Sequence, residues 1–227
     1  MGPLALALAL ALGQAEAMPE HDHGHQHGRG AGHGNPADLQ AYMAAQEAPG
    51  RDAWQQPDRV VKALGLAPGQ VACDVGAGPG YFTLRLARAV GAAGRVFAVD
   101  VEPAILGTLR DRLAAAGLHQ VTPVLATGDD PLLPAAACDV VLVVNTYHHF
   151  PDGPATLRRL AAALRPGGRI VNVDFHDRET GVGPPVAMRV SRQAFLAAAA
   201  RAGLAVVREE TFLEHQYLVV LAPAAAR

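Results

Sequence analysis

The sequence predicts an α/β domain, a mostly parallel sheet with helices on both faces, and three observations predict it. Between residues 70 and 175, continuous apolar runs alternate with segments that carry apolar residues at helical spacing. Runs of that kind mark strands buried on both sides. The first of them ends in "DVGAGPG", residues 74–80, a glycine-rich turn that opens onto a helical pattern. The last two runs, "LAVVREE" and "YLVVLA", follow one another with no helix between them, so they should pair antiparallel.

The elements follow in order. "ADLQAYMAAQEA" and "PDRVVKALGL" read as short helices separated by "PGRDAWQQ", with Pro57 at a first helical position and Gly65 at a terminus. "QVACDV" is a strand and "YFTLRLARAV" a helix; "RVFAVD" is a strand and "PAILGTLRDRLAAAG" a helix stopped by Gly117. "VTPVLA" and "DVVLVVN" are strands, and "GPATLRRLAAALRPGG" is a helix ended by Pro166-Gly167-Gly168. "RIVNVDF" is a further strand. After the Pro/Gly-rich "ETGVGPP", the helix "SRQAFLAAAARAG" leads into the closing strand pair.

The domain occupies residues 37–227. Ahead of it, "MGPLALALALALGQAEA" (residues 1–17) has an apolar core from Leu4 to Leu12 and ends in Ala15-Glu16-Ala17, a small-x-small cleavage pattern. This reads as a secretory signal peptide without basic residues in its n-region, too short to span a bilayer. It points to an exported or periplasmic protein with no membrane span after signal removal. A cytoplasmic location is the alternative. Residues 18–36 hold His21, His23, His25, His27 and His33 among glycines, a flexible linker whose imidazoles can wrap a divalent metal.

Bulk properties narrow the function further. The net charge is −2 and the 19 basic residues are spread along the chain, so no nucleic-acid-binding stripe is present. Cys73 and Cys138, beside two different strand runs, read as small buried core residues rather than a disulfide, which parity alone permits. No CxxC or Cys/His cluster suggests structural zinc.

The glycine turn sits where open α/β sheets bind ligands, at the carboxyl end of a strand. A triphosphate loop would continue into Gly-Lys-Ser/Thr, but here Gly80 is followed by Tyr81-Phe82. A dinucleotide loop would carry a third glycine where Tyr81 stands. Asp74, two residues before Gly76, is poorly placed for a pyrophosphate and well placed for a ligand with an ammonium group. S-adenosylmethionine has an ammonium, a sulfonium and no phosphate. Asp100, at the end of the second strand, can accept both ribose hydroxyls of either S-adenosylmethionine or NAD.

"DVGAGPGYF", "VFAVDVEP", "GDDPLLP", "DVVLVVNTYHHF" and "LRPGGRIVNVDF", in this order, resemble the successive motifs of class I S-adenosylmethionine-dependent methyltransferases. Within that family the chain is similar to the small-molecule branch that includes the ubiquinone/menaquinone biosynthesis C-methyltransferases, from about Trp54 to Leu221. The resemblance implies a Rossmann-like, doubly wound, seven-stranded sheet with an antiparallel last strand, a helical lid over residues 37–69 and a core over 70–222. It places Asp74, Gly76, Ala77, Gly78 and Gly80 around the methionine moiety, Asp100 on the ribose and Val101 against the adenine. Asp129, with the Asp130 backbone nearby, would reach the adenine amino group; a plain turn is the other reading of that pair. Asn145 would face the sulfonium and the substrate.

Tyr147, His148 and His149 follow the fourth strand, where an acceptor would meet the methyl group, and either histidine can serve as a general base. Asp174 and His176, at the exit of the next strand, border the same cleft. Trp54 either roofs the pocket or anchors the lid. The expected co-substrates are S-adenosyl-L-methionine and a small-molecule methyl acceptor, with no metal required for the chemistry. The rival readings are an exported metal-binding protein with a non-catalytic methyltransferase-like domain, and an NAD-type oxidoreductase.

Overall fold

The computed structural model describes residues 38–128 and 130–225. The signal-like segment, the histidine tract and Asp129 lie outside these residues. Three helices come first: α1 (Leu39–Gln46), α2 (Arg51–Gln55) and α3 (Pro57–Leu64). They are followed by β1 (Val71–Val75), α4 (Thr83–Val90), β2 (Arg95–Asp100), α5 (Pro103–Ala115), β3 (Val121–Leu125) and β4 (Cys138–Val144). The chain ends with α6 (Gly153–Ala162), β5 (Leu164–Phe175), α7 (Arg192–Arg201), β6 (Leu204–Glu210) and β7 (Gln216–Pro223).

The seven strands form one sheet in the order β3-β2-β1-β4-β5-β7-β6. The first five are parallel, and β7 runs antiparallel to both β5 and β6. Order reverses between β1 and β4, so a crevice opens at their carboxyl ends. Successive β4 residues serve opposite faces of the sheet. Val140 and Leu142 pack with Leu64 of α3, Leu86 of α4 and Leu109 of α5. Val141 and Val143 pack with Leu160 of α6 and Phe195 of α7. This two-sided burial is why these strands read as unbroken apolar runs. Side-chain caps fix the helix starts: Asp152 accepts from the Ala155 amide (2.9 Å) and Ser191 from the Ala194 amide (3.1 Å).

Four local expectations are corrected. "RDAWQ", expected as a separator, forms α2, and a left-handed Gln56 (φ 44°) lets Pro57 start α3 at a new angle. Helix α4 starts at Thr83, because Tyr81 and Phe82 remain in the turn. The segment read as the end of α6 joins β5, which starts at Leu164 and shifts register opposite Cys138 and Val140. Most consequentially, Cys73 and Cys138 form a disulfide, with Cα atoms 6.3 Å apart. Their strands are neighbours at the crevice, and both side chains join the same core layer, within the span a disulfide bridges. Among the described residues no helix is long and apolar enough to cross a membrane.

Candidate active site

The glycine turn is held to β2. The amides of Gly76 and Ala77 both donate to the Val99 carbonyl (2.9 Å each), and the Gly78 amide donates to Asp100 Oδ2 (2.9 Å). The other Asp100 oxygen accepts from the Glu102 amide at 3.0 Å. Asp100 is nearly buried, and that burial raises its carboxyl above the usual range. Each carboxylate oxygen keeps a second lone pair, which suits a pair of ribose hydroxyls. Gly76 has φ 76°, and a Cβ there would collide with the Thr146 side chain. The turn and the β4 exit therefore touch, and only glycine fits between them. Val101 (46% exposed) and Leu125, which pairs with Asp100 across β2 and β3, offer apolar surface of the kind an adenine ring covers.

Asp74 lies beneath the turn, 3% exposed, and accepts from Thr83 Oγ1 at 2.6 Å. Burial pushes its carboxyl up to about 6, with the Thr83 hydrogen bond opposing the rise. Above the turn, α2 closes the site. The Tyr81 hydroxyl donates to Asp52 Oδ1 (2.5 Å), and Arg85 pairs with the other Asp52 oxygen at 3.0 Å. Arg51 lays its guanidinium over the Tyr81 ring, 3.8 Å from the centroid. In α1, burial raises the Tyr42 phenol, with the Asp100 charge adding to the effect. Lid and cofactor loop therefore share one electrostatic environment.

The β4 exit supplies the other wall. Asn145 takes a left-handed backbone (φ 53°) and joins a closed ring of three carboxamides. Gln55 donates to Gln216 (2.5 Å), Gln216 to Asn145 (2.5 Å), and Asn145 to Gln55 (3.4 Å). Asn145 thus ties the lid to the sheet. Trp54 packs against Phe175 with ring centroids 5.6 Å apart, anchoring the lid at the β5 exit.

The structure separates the three residues of the "YHH" turn. His148 Nδ1 lies 3.3 Å from Asp174 Oδ2, with side chains 6% and 1% exposed. Asp174 is fixed in turn by the Phe175 amide, which donates to Oδ1 at 2.8 Å. His149 is exposed and packs its ring on that of His148, 4.1 Å between centroids. Tyr147 turns the other way into the core, edge-on to Phe195 at 4.8 Å, which takes it out of the reacting crevice. The Asp130 side chain is engaged locally, its Oδ1 accepting from the Leu132 amide (2.9 Å) and its Oδ2 lying 4.0 Å from Arg159, while the expectation concerned its backbone.

Sequence reasoning missed Arg51, Gln55, Thr83 and Gln216. The one local signal was the i, i+4 spacing of Arg51 and Gln55, which shares a helix face if "RDAWQ" is helical. His176, just past β5, donates its amide to the His215 carbonyl at 3.1 Å.

Comparison with known proteins agrees with this geometry. Residues 72–168 match the methyltransferase domain family. The nocamycin O-methyltransferase of Saccharothrix syringae is 36% identical over 132 residues, 58% of this chain and 44% of that protein. The ubiquinone/menaquinone biosynthesis C-methyltransferase of Vibrio vulnificus (strain YJ016) is 30% identical over 112 residues, 49% of this chain and 43% of that protein. The chain thus spans less than half the length of these curated relatives. In fold it is similar to the crystal structure of a SAM dependent methyltransferase from Aquifex aeolicus: TM-score 0.77, 24% identity, 81% of this chain and 97% of that one. The chain is thus similar to the class I S-adenosylmethionine-dependent methyltransferases, through the methyltransferase domain matched at residues 72–168 and through the shared fold.

Proposed function

We infer that the protein transfers a methyl group from S-adenosylmethionine to the hydroxyl of a small molecule. The observation that carries this reading is the crevice between β1 and β4. On one side, buried Asp74 and Asp100 flank a glycine turn whose Gly78 faces open space. On the other, a histidine is held by a buried carboxylate.

The residues fit the co-substrate group by group. Asp74 takes the ammonium, Asp100 the ribose hydroxyls and Val101 the adenine face. The bound co-substrate supplies a methyl group on a sulfonium, which an aligned nucleophile accepts by in-line displacement. The chain's own work is to align that nucleophile, exclude water and remove a proton. The His148 Nδ1–H donates to Asp174, which leaves the Nε2 lone pair to take the proton of an acceptor hydroxyl. In this reading the lid, anchored by Trp54 on Phe175, serves to screen the bound co-substrate from water.

Titration calorimetry tests the cofactor half of this reading. S-adenosylmethionine should bind the full chain at micromolar concentrations and NAD should not. Asp100→Ala should weaken the first by about 10–100-fold, the scale of losing hydrogen bonds to a charged acceptor. Binding of neither ligand would sink the reading.

Export is a companion proposal. The Cys73–Cys138 disulfide supports it, since such bonds form and persist in oxidising compartments. Mass spectrometry of the mature chain tests it: a chain that keeps Met1 through Ala17 would count against export.

A further inference from the structure

We propose that a groove outside the cofactor crevice, between α3, α4 and α5, binds a phosphate monoester with an apolar substituent. The inference stands apart from the S-adenosylmethionine reading, because none of Asp74, Gly78, Asp100 and His148 lines this groove.

The groove has a volume of about 660 Å³, within the range of small-molecule sites, and reaches Gly80 and Tyr81 at the end of the glycine turn. It is lined by Lys62 from α3, Arg85 and Arg88 from α4, and Arg112 from α5, against a single acid, Asp58. The whole chain has net charge −2, so this concentration of cations is local.

The four cations fall into two pairs. Arg85 and Arg112 are half-buried and already held. Arg85 Nη1 donates to the Tyr81 carbonyl (2.8 Å), and its Nη2 pairs with Asp52 at 3.0 Å. Arg112 Nη1 donates to the Pro79 carbonyl (2.8 Å) and pairs with Glu47. Lys62 and Arg88 are exposed, and among the described residues neither side chain has a hydrogen bond or an ion pair. Asp58 stands 3.6 Å from Arg85 Nε with its side chain 95% exposed, so it competes weakly with a guest anion. Two cations left without countercharge match a dianion, and the guanidinium forks beside them suit phosphate oxygens.

The rest of the lining adds an apolar requirement. Val61 and Leu84, half-buried against the core, present hydrocarbon between the charges. A bare inorganic anion would leave that surface wet, whereas an ester with a ring or short chain covers it.

A plainer reading is available for the two unpaired cations. Lys62 and Arg88 stand in the last turns of α3 and α4, where positive charge complements the helix dipole without any ligand. Calorimetry on the full chain at physiological ionic strength separates the two readings. The probes are phenyl phosphate, inorganic phosphate, and vesicles of phosphatidylcholine with and without phosphatidic acid. Phenyl phosphate should bind one-to-one, about tenfold more tightly than inorganic phosphate. Lys62→Gln with Arg88→Gln should weaken it by about tenfold or more. Thermal melting checks that this variant is folded, and Lys62→Gln alone carries the test if it is not. Saturating S-adenosylmethionine should leave phenyl phosphate affinity within about threefold. Vesicle binding that needs both phosphatidic acid and the two cations would make a lipid headgroup the source. Phenyl phosphate binding without vesicle binding would make it a soluble phosphate. No binding of phenyl phosphate at about 1 mM would overturn the proposal, and so would equal affinity for the two phosphates. A folded variant that binds like the wild type would do the same in favour of the dipole reading. Displacement by S-adenosylmethionine would also overturn it, by putting the anion in the crevice. A chain that binds phenyl phosphate but not S-adenosylmethionine would count against the proposed function and leave this site standing.

Discussion

The disulfide makes a demanding quantitative prediction. Cys73 and Cys138 are 65 residues apart, so opening the bond releases a long loop in the unfolded chain. The chain-entropy relation gives roughly 15 cal/mol/K for closing a loop of that length, about 4 kcal/mol at 25 °C. For a domain of this size that corresponds to a fall in Tm on the order of 10 °C. The cleanest perturbation is reduction rather than substitution, because it leaves the side chains in place. Both sulfur-bearing residues are fully buried, so reduction must proceed through unfolding. The protein should therefore be unfolded and refolded with and without reductant. Urea melts followed by far-UV circular dichroism, and by the fluorescence of the single tryptophan, Trp54, then compare the two forms. Curves that agree within about 1 kcal/mol would refute the reasoning. So would two free thiols titrating in the unfolded, unreduced chain.

Two further predictions concern charge at the crevice. Burial raises the folded Asp74 carboxyl to about 6, so in the ligand-free protein its stabilising contribution is full below about pH 4 and is lost as pH rises to about 6. Ligand binding runs the other way, because an ammonium needs the carboxylate. S-adenosylmethionine affinity should fall by up to about tenfold between pH 6 and pH 5, and Asp74→Asn should flatten that profile. A wild-type profile already flat from pH 5 to 7 would remove Asp74 from the ammonium site.

The second concerns the Asp174–His148 pair. His148→Ala should slow methylation of weakly acidic phenols by about a hundredfold or more, and Asp174→Asn should slow it as well. Both variants should spare a nitrophenol already ionised at neutral pH. Uniform slowing across a phenol series would assign the pair to structure alone.

How much of this could be read in advance depends on the distance over which each feature is encoded. The glycine turn, Asp74 and Asp100 were legible because strand, turn and strand end lie within one short run. The helix-free pair at the chain's end was legible for the same reason. The disulfide was not, since pairing Cys73 with Cys138 requires knowing that β1 and β4 are neighbours, and strand order is written in no local pattern. Gln55 and Gln216 meet across 161 residues. Arg51 escaped because a five-residue helix between two prolines has too little periodicity to declare itself. Tyr147 and His148 show the finest limit. They are consecutive, yet one 3-10 turn sends the first into the core and the second to the Asp174 carboxylate.

The carboxamide ring that closes the lid has a consequence of its own. Gln55, Asn145 and Gln216 carry no net charge and do not ionise in water, so this latch has nothing for dissolved salt to screen and nothing for protons to titrate. The same site holds Asp74 and Asp100, whose carboxyls burial raises, and the Asp174–His148 pair. An ion pair in the same place would have loosened or tightened with every change of surroundings. A neutral clasp lets closure be governed by what occupies the crevice, while the acidity of the medium governs only the chemistry inside.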